Sequence, residues 1–218
     1  MLYDLVSARD NIRNRDGRRV FYLGSGDQLT SQARDWLQSE RIEILPASRA
    51  RPERWRLLGG GYLEEKPEHI THLYGDVLVE KTHPRIGFRG AIDTLEAEIL
   101  LCGKTLTRLQ PELTEILTLA RDLIRYEVMN EPVAQGRLLG LTEQQLREQS
   151  HRPQDFFGKP HFMPDFGDNE QVLYLNRVRC AVRNAERMAV AAVPERTDIL
   201  RALNRMSSAI YILMVKEK

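Results

Sequence analysis

The sequence predicts a mainly α protein, an antiparallel bundle of four or five helices preceded by a small strand–helix–strand extension. Three observations predict it. From about residue 85 onward, apolar residues recur at helical spacing. Prolines at 111, 132 and 194 cut that pattern into separate segments. The connections between the segments are short enough to bring successive helices together antiparallel. The chain has 218 residues, enough for one sizeable core plus an extension.

In chain order, residues Met1 to Arg15 read as a loose arm and Val20 to Leu23 as a short strand. Thr30 is placed to cap a helix that carries Ala33, Trp36 and Leu37 on one face. Ile42 to Leu45 reads as a second strand. Residues 46–68 are rich in Arg, Gly, Pro and Glu and read as a flexible linker. Gly59-Gly60-Gly61 within it is not followed by Lys-Ser/Thr, so it is a poor phosphate loop. This divides the chain into an extension with linker, 1–65, and a helical domain, 66–218. From His69 to Arg85 the chain reads as a polar, irregular lead-in.

A long helix then runs from about Arg85 to Leu109, burying Ile92, Leu95, Ile99, Cys102, Leu106 and Leu109. Pro111 separates it from a second, about 112–128, with Leu113, Ile116, Leu117, Ala120, Leu123 and Ile124 inward. Thr142 with Gln145 forms a capping box that opens a short helix through about Gln149. His151 to Asp168 holds three prolines and reads as an ordered loop. A helix from about Asn169 to Pro194 follows. Thr197-Asp198 caps the last helix, with Leu200, Leu203, Ile210, Leu213 and Met214 inward.

Composition excludes several classes. Charged residues make up 29% of the chain, but the formal net charge is +1 and the signs are mixed. Bulk attraction to nucleic acid or an anionic membrane is not expected. No apolar stretch reaches the ~18–20 residues of a membrane span, and no signal-peptide pattern opens the chain, so a cytoplasmic location is expected. Cys102 and Cys180, the two cysteines, read as small buried hydrophobes.

The most informative stretch is Leu173 to Arg187. Leu175, Val178, Val182, Ala185 and Ala189 form its apolar stripe. Arg179, Arg183 and Glu186 stand at i, i+4 and i+7 and share a ~60° arc beside that stripe. Two fixed guanidiniums suit a polyphosphate, whose oxygens they match bidentately. The same spacing also suits an exposed, salt-bridged helix face.

Three blocks carry a family resemblance. Thr71-His-Leu is followed by Lys81-Thr-His-Pro-Arg-Ile-Gly-Phe-Arg-Gly-Ala-Ile-Asp93-Thr-Leu. Arg179-Cys-Ala-Val-Arg183-Asn-Ala-Glu186-Arg187 comes next, and Leu203-Asn204-Arg205-Met-Ser207-Ser208 closes the series. In their order and spacing, over roughly residues 66–216, they resemble the PduO-type ATP:cob(I)alamin adenosyltransferases, most closely the ethanolamine-utilisation (EutT-type) branch. His161-Phe-Met-Pro164 is similar to that branch's loop ahead of the arginine helix. The resemblance implies a trimer of five-helix bundles with active sites between subunits. It also implies transfer of the 5′-deoxyadenosyl group of ATP to cobalt.

By that resemblance, Lys81, Arg179 and Arg183, with Mg²⁺, face the departing polyphosphate, and Arg85 joins them. Asp93 pairs with Arg179 across a subunit boundary, or else simply faces its own helix dipole. Glu186 orients the arginines or holds the adenosine end, or bonds Arg183 along the helix. Asn204, with Ser208 and Tyr211, forms a polar stripe facing either the nucleotide or a packed neighbour. Phe162 is the candidate apolar wall that displaces the lower cobalt ligand of the corrinoid, with Phe166 and Phe157 in reserve. Corrinoid reductase and microcompartment partners, and a place inside a bacterial microcompartment, are further implications.

The chain departs from the branch where relatives carry Cys-Cys-x-x-Cys before Thr71-His72. Here no cysteine stands there, so no structural transition-metal site is expected. His69 and His72 alone make a weak metal pair, and His72 is left to touch phosphate or to pack. The Gly-Asp-x-Gly loop of PduO members is reduced to Gly75-Asp76. Asn184 stands where they have a second arginine, a place Arg187 or Arg89 could fill. Two competing readings stay open at this point: a carrier or chaperone for adenosylcobalamin, and a structural microcompartment protein.

Overall fold

A computed structural model describes residues 1–15, 17–49, 55–134 and 136–218. The chain forms two compact units, Met1–His83 and Pro84–Lys218.

The first unit is largely sheet. Its elements in order are β1 (Leu2–Tyr3), α1 (Leu5–Asp10), β2 (Ile12–Arg15), β3 (Arg18–Leu23), β4 (Gln28–Leu29), α2 (Ser31–Ser39) and β5 (Glu43–Pro46). They continue with β6 (Trp55–Leu57), β7 (Tyr62–Leu63), β8 (Ile70–Tyr74) and β9 (Val77–Glu80). β1 and β4 pair in parallel, and a seven-stranded mixed sheet runs β5-β3-β2-β7-β6-β9-β8. The anticipated strand–helix–strand unit is present as β3, α2 and β5, with β3 and β5 parallel. Thr30 caps α2, its hydroxyl accepting the Ala33 N–H at 3.2 Å. Ala33 and Leu37 pack with Phe21 and Ile42 in a small core.

The extension is therefore larger than a strand–helix–strand unit, and three expectations need correction. The Met1–Arg15 arm is ordered: it holds β1, β2 and α1. The Asp4 carboxylate accepts the Ser7 N–H at 2.8 Å while the Ser7 hydroxyl accepts the Asp4 N–H at 2.9 Å, a reciprocal cap on α1. The expected flexible linker holds β6 and β7, although 50–54 of it lie outside the described residues. β7 pairs with β2 and β6 with β9. Strands of two or three residues whose partners are this distant leave no local alternation to read. Gly59-Gly60-Gly61 is the turn between them. Gly61 has φ of +85°, and a Cβ there would stand 2.5 Å from the Ile12 carbonyl oxygen, so a side chain is excluded. The irregular lead-in is likewise an antiparallel hairpin of β8 and β9, turning at Gly75.

The second unit is helical. Its long elements are α3 (Pro84–Thr105), α4 (Gln110–Met129), α7 (Glu170–Ala192) and α8 (Thr197–Glu217), and the short α5 (Glu143–His151) and α6 (Pro153–Phe157) lie between α4 and α7. α7 packs against both α3 and α8, α4 against α3, and α5 against α8. Leu95, Ile99, Ile116, Leu123, Leu175, Val178, Leu203 and Ile210 are among the fully or almost fully buried residues of their common core.

Three boundaries differ from the sequence reading. Pro111 lies inside the first turn of α4, where its missing N–H costs nothing. The break falls earlier, after Thr105. The expected loop at 151–168 contains α6, which ends at Gly158 in the left-handed region. α8 starts at Thr197 without a side-chain cap. Asp198 is occupied elsewhere: it accepts the Val133 N–H at 2.9 Å and pairs with Arg196 at 2.9 Å. Arg196 depresses the Asp198 pKa well below the ordinary carboxylate range.

Glu127, 2% exposed near the end of α4, ties that helix to the start of α3. Its carboxylate pairs with Arg85 and accepts from Arg89 Nε at 2.9 Å. A buried carboxylate needs such partners.

Candidate functional site

α7 builds the site. The Asn169 side chain accepts the Val172 N–H at 2.9 Å and fixes the start of the helix. Leu175, Val178, Val182, Ala185 and Ala189 are all buried, so the apolar stripe sets the helix's rotation. That rotation puts Arg179 half-buried at the stripe's edge and Arg183 one turn on, exposed. α8 lies alongside and presents Asn204, Ser207, Ser208 and Tyr211. Between the two helices and the loop after α6 opens a cleft of about 830 Å³. His161, Phe162, Arg179, Arg183, Asn204 and Tyr211 are among the residues lining it.

The side chains interlock. The Arg179 guanidinium carbon lies 5.3 Å from the centre of the Tyr211 ring, over which it stacks. Its Nε is buried without a hydrogen-bond partner among the described residues. Arg183 is not held by any ion pair among the described residues, so its charge is available to a ligand. Glu186 does not bond Arg183; it accepts from Asn204 Nδ2 at 3.1 Å, across to α8. Phe162 packs against Tyr211 with ring centres 5.8 Å apart.

A cleft lined by two guanidiniums, an amide and aromatic rings offers an anion site beside apolar surface. Among the described residues, no group of three or more His, Cys, Asp or Glu side chains is placed to hold a metal ion.

The remaining predicted residues stand elsewhere. Asp93 is exposed on α3 and has no ion-pair partner among the described residues. Arg85 pairs with Glu127 and also donates to the Glu127 carbonyl at 3.0 Å. His72 is exposed on β8, opposite Leu78 of β9, and Lys81 is exposed just after β9. Its backbone N–H donates to the His69 carbonyl at 2.8 Å. Both belong to the first unit. Phe166 does not line the cleft and is fully exposed. Phe157 is half-buried against the bundle core.

Asn176, His151 and Met214 also line the cleft and carried no signal of it in the sequence, and His161 and Tyr211, named there only as part of a loop block and a polar stripe, prove to touch each other. The i+7 spacing of Tyr211 from Asn204 put it on the polar stripe. Its contact with the loop could not be read, because that contact joins segments about fifty residues apart.

Residues 61–217 match the family described as cobalamin adenosyltransferase. The chain is 31% identical over 216 residues to corrinoid adenosyltransferase EutT of Salmonella typhimurium, covering 96% of this chain and 80% of that protein. It is 28% identical, with the same coverage, to proteins of that name from two strains of Escherichia coli. With the arginine helix, the asparagine beside it and the loop phenylalanine gathered in one cleft, and with this match across most of its length, the chain belongs to the cobalamin adenosyltransferase family and is an EutT-like enzyme of it.

Proposed function

We propose that the chain transfers the 5′-deoxyadenosyl group of ATP to cob(I)alamin, in the service of ethanolamine or related catabolism. The observation that carries this is the convergence of Arg179, Arg183, Asn204 and Phe162 on a single cleft. In the reaction the Co(I) electron pair attacks the ribose C5′. A cobalt–carbon bond forms, the C5′–O bond breaks, and the triphosphate leaves with the bonding electrons. No proton has to be removed from the nucleophile, so the protein's task is positioning and charge stabilisation. Arg179 and Arg183 face the phosphate oxygens on which negative charge accumulates. The donors around them are guanidiniums and an amide, which suit phosphate; Mg²⁺ would be held by the phosphate oxygens as part of the nucleotide substrate. Lys81 and His72 are the further phosphate-contact candidates that the family resemblance implies, and Arg85 joins if it exchanges Glu127 for the nucleotide.

The active unit in this reading is a homotrimer of five-helix bundles in which α5 is the short fifth helix. Asp93 of one subunit meets Arg179 of the next. Two observations support that: Asp93 is exposed and unpaired among the described residues, and the buried Arg179 Nε has no partner there. Phe162 walls the corrinoid side of the cleft and excludes the lower cobalt ligand, with the exposed Phe166 closing over the corrinoid. A corrinoid reductase and microcompartment proteins are the partners that this role requires.

The test has two parts. Mixing ATP with chemically reduced cobalamin should yield the adenosylcobalamin spectrum together with inorganic triphosphate or its hydrolysis products; no adenosylated product would remove the proposal. Subunits carrying Asp93→Ala and Arg179→Ala, each inactive alone, should regain activity when co-assembled. Random assembly leaves about a quarter of the shared sites intact. No recovery in mixed trimers would refute the inter-subunit site.

A further inference from the structure

Tyr211 is 8% exposed, lines the cleft, and touches both Arg179 and Phe162. The Arg179 guanidinium lies over its ring, and the rings of Phe162 and His161 stack against it at 5.8 Å and 5.7 Å. Its hydroxyl oxygen accepts the Phe162 backbone N–H at 3.2 Å and stands 3.1 Å from His161 Nδ1. The other ring nitrogen, Nε2, is 2.8 Å from the His151 carbonyl. A carbonyl only accepts, so Nε2 carries a proton. In the neutral ring Nδ1 is then the acceptor, and the Tyr211 O–H donates to it. The hydroxyl is thus used in both directions, and both partners belong to the loop that carries Phe162.

The rest of that loop is pinned to the end of α8. Lys159 Nζ donates to the Val215 carbonyl at 2.9 Å, and Lys218 pairs with Asp168. Tyr211 secures the middle, and Ile210 and Ile212, fully buried beside it, root it in the core.

We propose that Tyr211 is a positioning residue that couples occupancy of the phosphate side, through Arg179, to the seating of Phe162 on the corrinoid side. The proposal rests on the assignment of the two sides given above. A phosphate chain bound by Arg179 fixes the guanidinium on the Tyr211 face. The fixed ring holds its hydroxyl, and the hydroxyl holds the Phe162 backbone and His161. Nucleotide and corrinoid then strengthen each other's binding by the same factor, as linkage requires.

Tyr211→Phe keeps the ring under Arg179 and deletes the hydroxyl. The readout is the electron paramagnetic resonance spectrum of bound cob(II)alamin with MgATP, which reports the ratio of molecules without the lower ligand to those retaining it. That ratio should fall about fivefold, the equivalent of one ordinary hydrogen bond, while calorimetric ATP affinity without corrinoid stays within about twofold. His161→Ala should give a similar fall, and the double variant should fall no further, because both substitutions break one network. A wild-type ratio in Tyr211→Phe, or independent losses that multiply in the double variant, would overturn the coupling. The underlying assignment fails differently: Phe162→Ala would then leave the ratio unchanged, or the unaltered protein would form no adenosylcobalamin. Melting temperatures of all variants, measured alongside, show that the spectral change is read on folded protein.

Discussion

Glu127→Gln tests whether the start of α3 is held in place by a buried charge. The substitution conserves shape, so packing is unchanged and only the charge and one acceptor are lost. Glu127 is 2% exposed and serves Arg85 and Arg89, whose side chains are 23% and 18% exposed. Hydrogen bonds to charged groups contribute about 1.5–3 kcal/mol each. The glutamine oxygen still accepts from one guanidinium, while its amide N–H₂ opposes the other. The stranded arginine recovers part of its solvation, since neither arginine is fully enclosed. The net loss is then about 2–3 kcal/mol, below the ~3–5 kcal/mol for fully buried pairs. In a chain of this size that lowers Tm by roughly 5–10 °C. Differential scanning calorimetry at neutral pH measures it, and Arg89→Ala in both backgrounds gives the coupling. A Tm within about 1 °C of the parent, or no coupling with Arg89, would refute the reasoning.

Two other outcomes are expected. Asp198 has its folded-state pKa depressed by Arg196. A depressed carboxylate contributes stability that is present above its unfolded pKa, about 3.9, and is lost as pH falls through the folded value. Asp198→Asn should therefore lower Tm by about 3 °C at neutral pH, a modest effect because the pair is partly solvated, and should flatten the loss of Tm below about pH 4; parallel melting curves at all pH values would contradict this. Phe162→Ala should slow adenosylation starting from cob(II)alamin and a reductant by roughly tenfold or more, the effect of removing an interaction of about 1.4 kcal/mol or larger. With cobalamin already reduced to Co(I), the same variant should be much closer to the parent, since the lower ligand no longer opposes reduction; equal losses from both starting states would argue against a wall.

How much the sequence disclosed follows from the reach of each signal. The stripe Leu175, Val178, Val182, Ala185 and Ala189 is local and periodic, and it fixed the face on which Arg179 and Arg183 emerge. The Thr30 and Thr142 caps are equally local. β6, β7, β8 and β9 are too short to show a clear alternation, and although β6–β7 and β8–β9 pair locally, the pairings of β7 with β2 and β6 with β9 that build them into the sheet join separate segments, so their sequences resemble linker. Pro111 misled because proline both ends helices and begins them, and its place in the first turn of α4 is settled by the tertiary packing. Within the site, Phe162 was singled out by the resemblance of its loop to the family's, since an aromatic in a proline-rich loop by itself reads as a core plug; the structure places it on the cleft. Its tie to Tyr211, a ring stack and a backbone N–H to hydroxyl bond, was not legible, because it joins segments about fifty residues apart.

In the proposed reaction, guanidiniums of α7 hold the phosphate chain of the nucleotide. Arg183 tests it most directly, because it is exposed and unpaired among the described residues and its removal leaves the fold's contacts intact. The measurement is calorimetric titration with inorganic triphosphate, paired with the turnover number for adenosylcobalamin formation, in the parent and in Arg183→Ala. Arg183→Ala should keep the parent Tm, bind triphosphate at least about tenfold more weakly, and turn over about 10²–10³ more slowly, as for loss of one charge-stabilising donor. Triphosphate affinity and turnover equal to the parent's would contradict it.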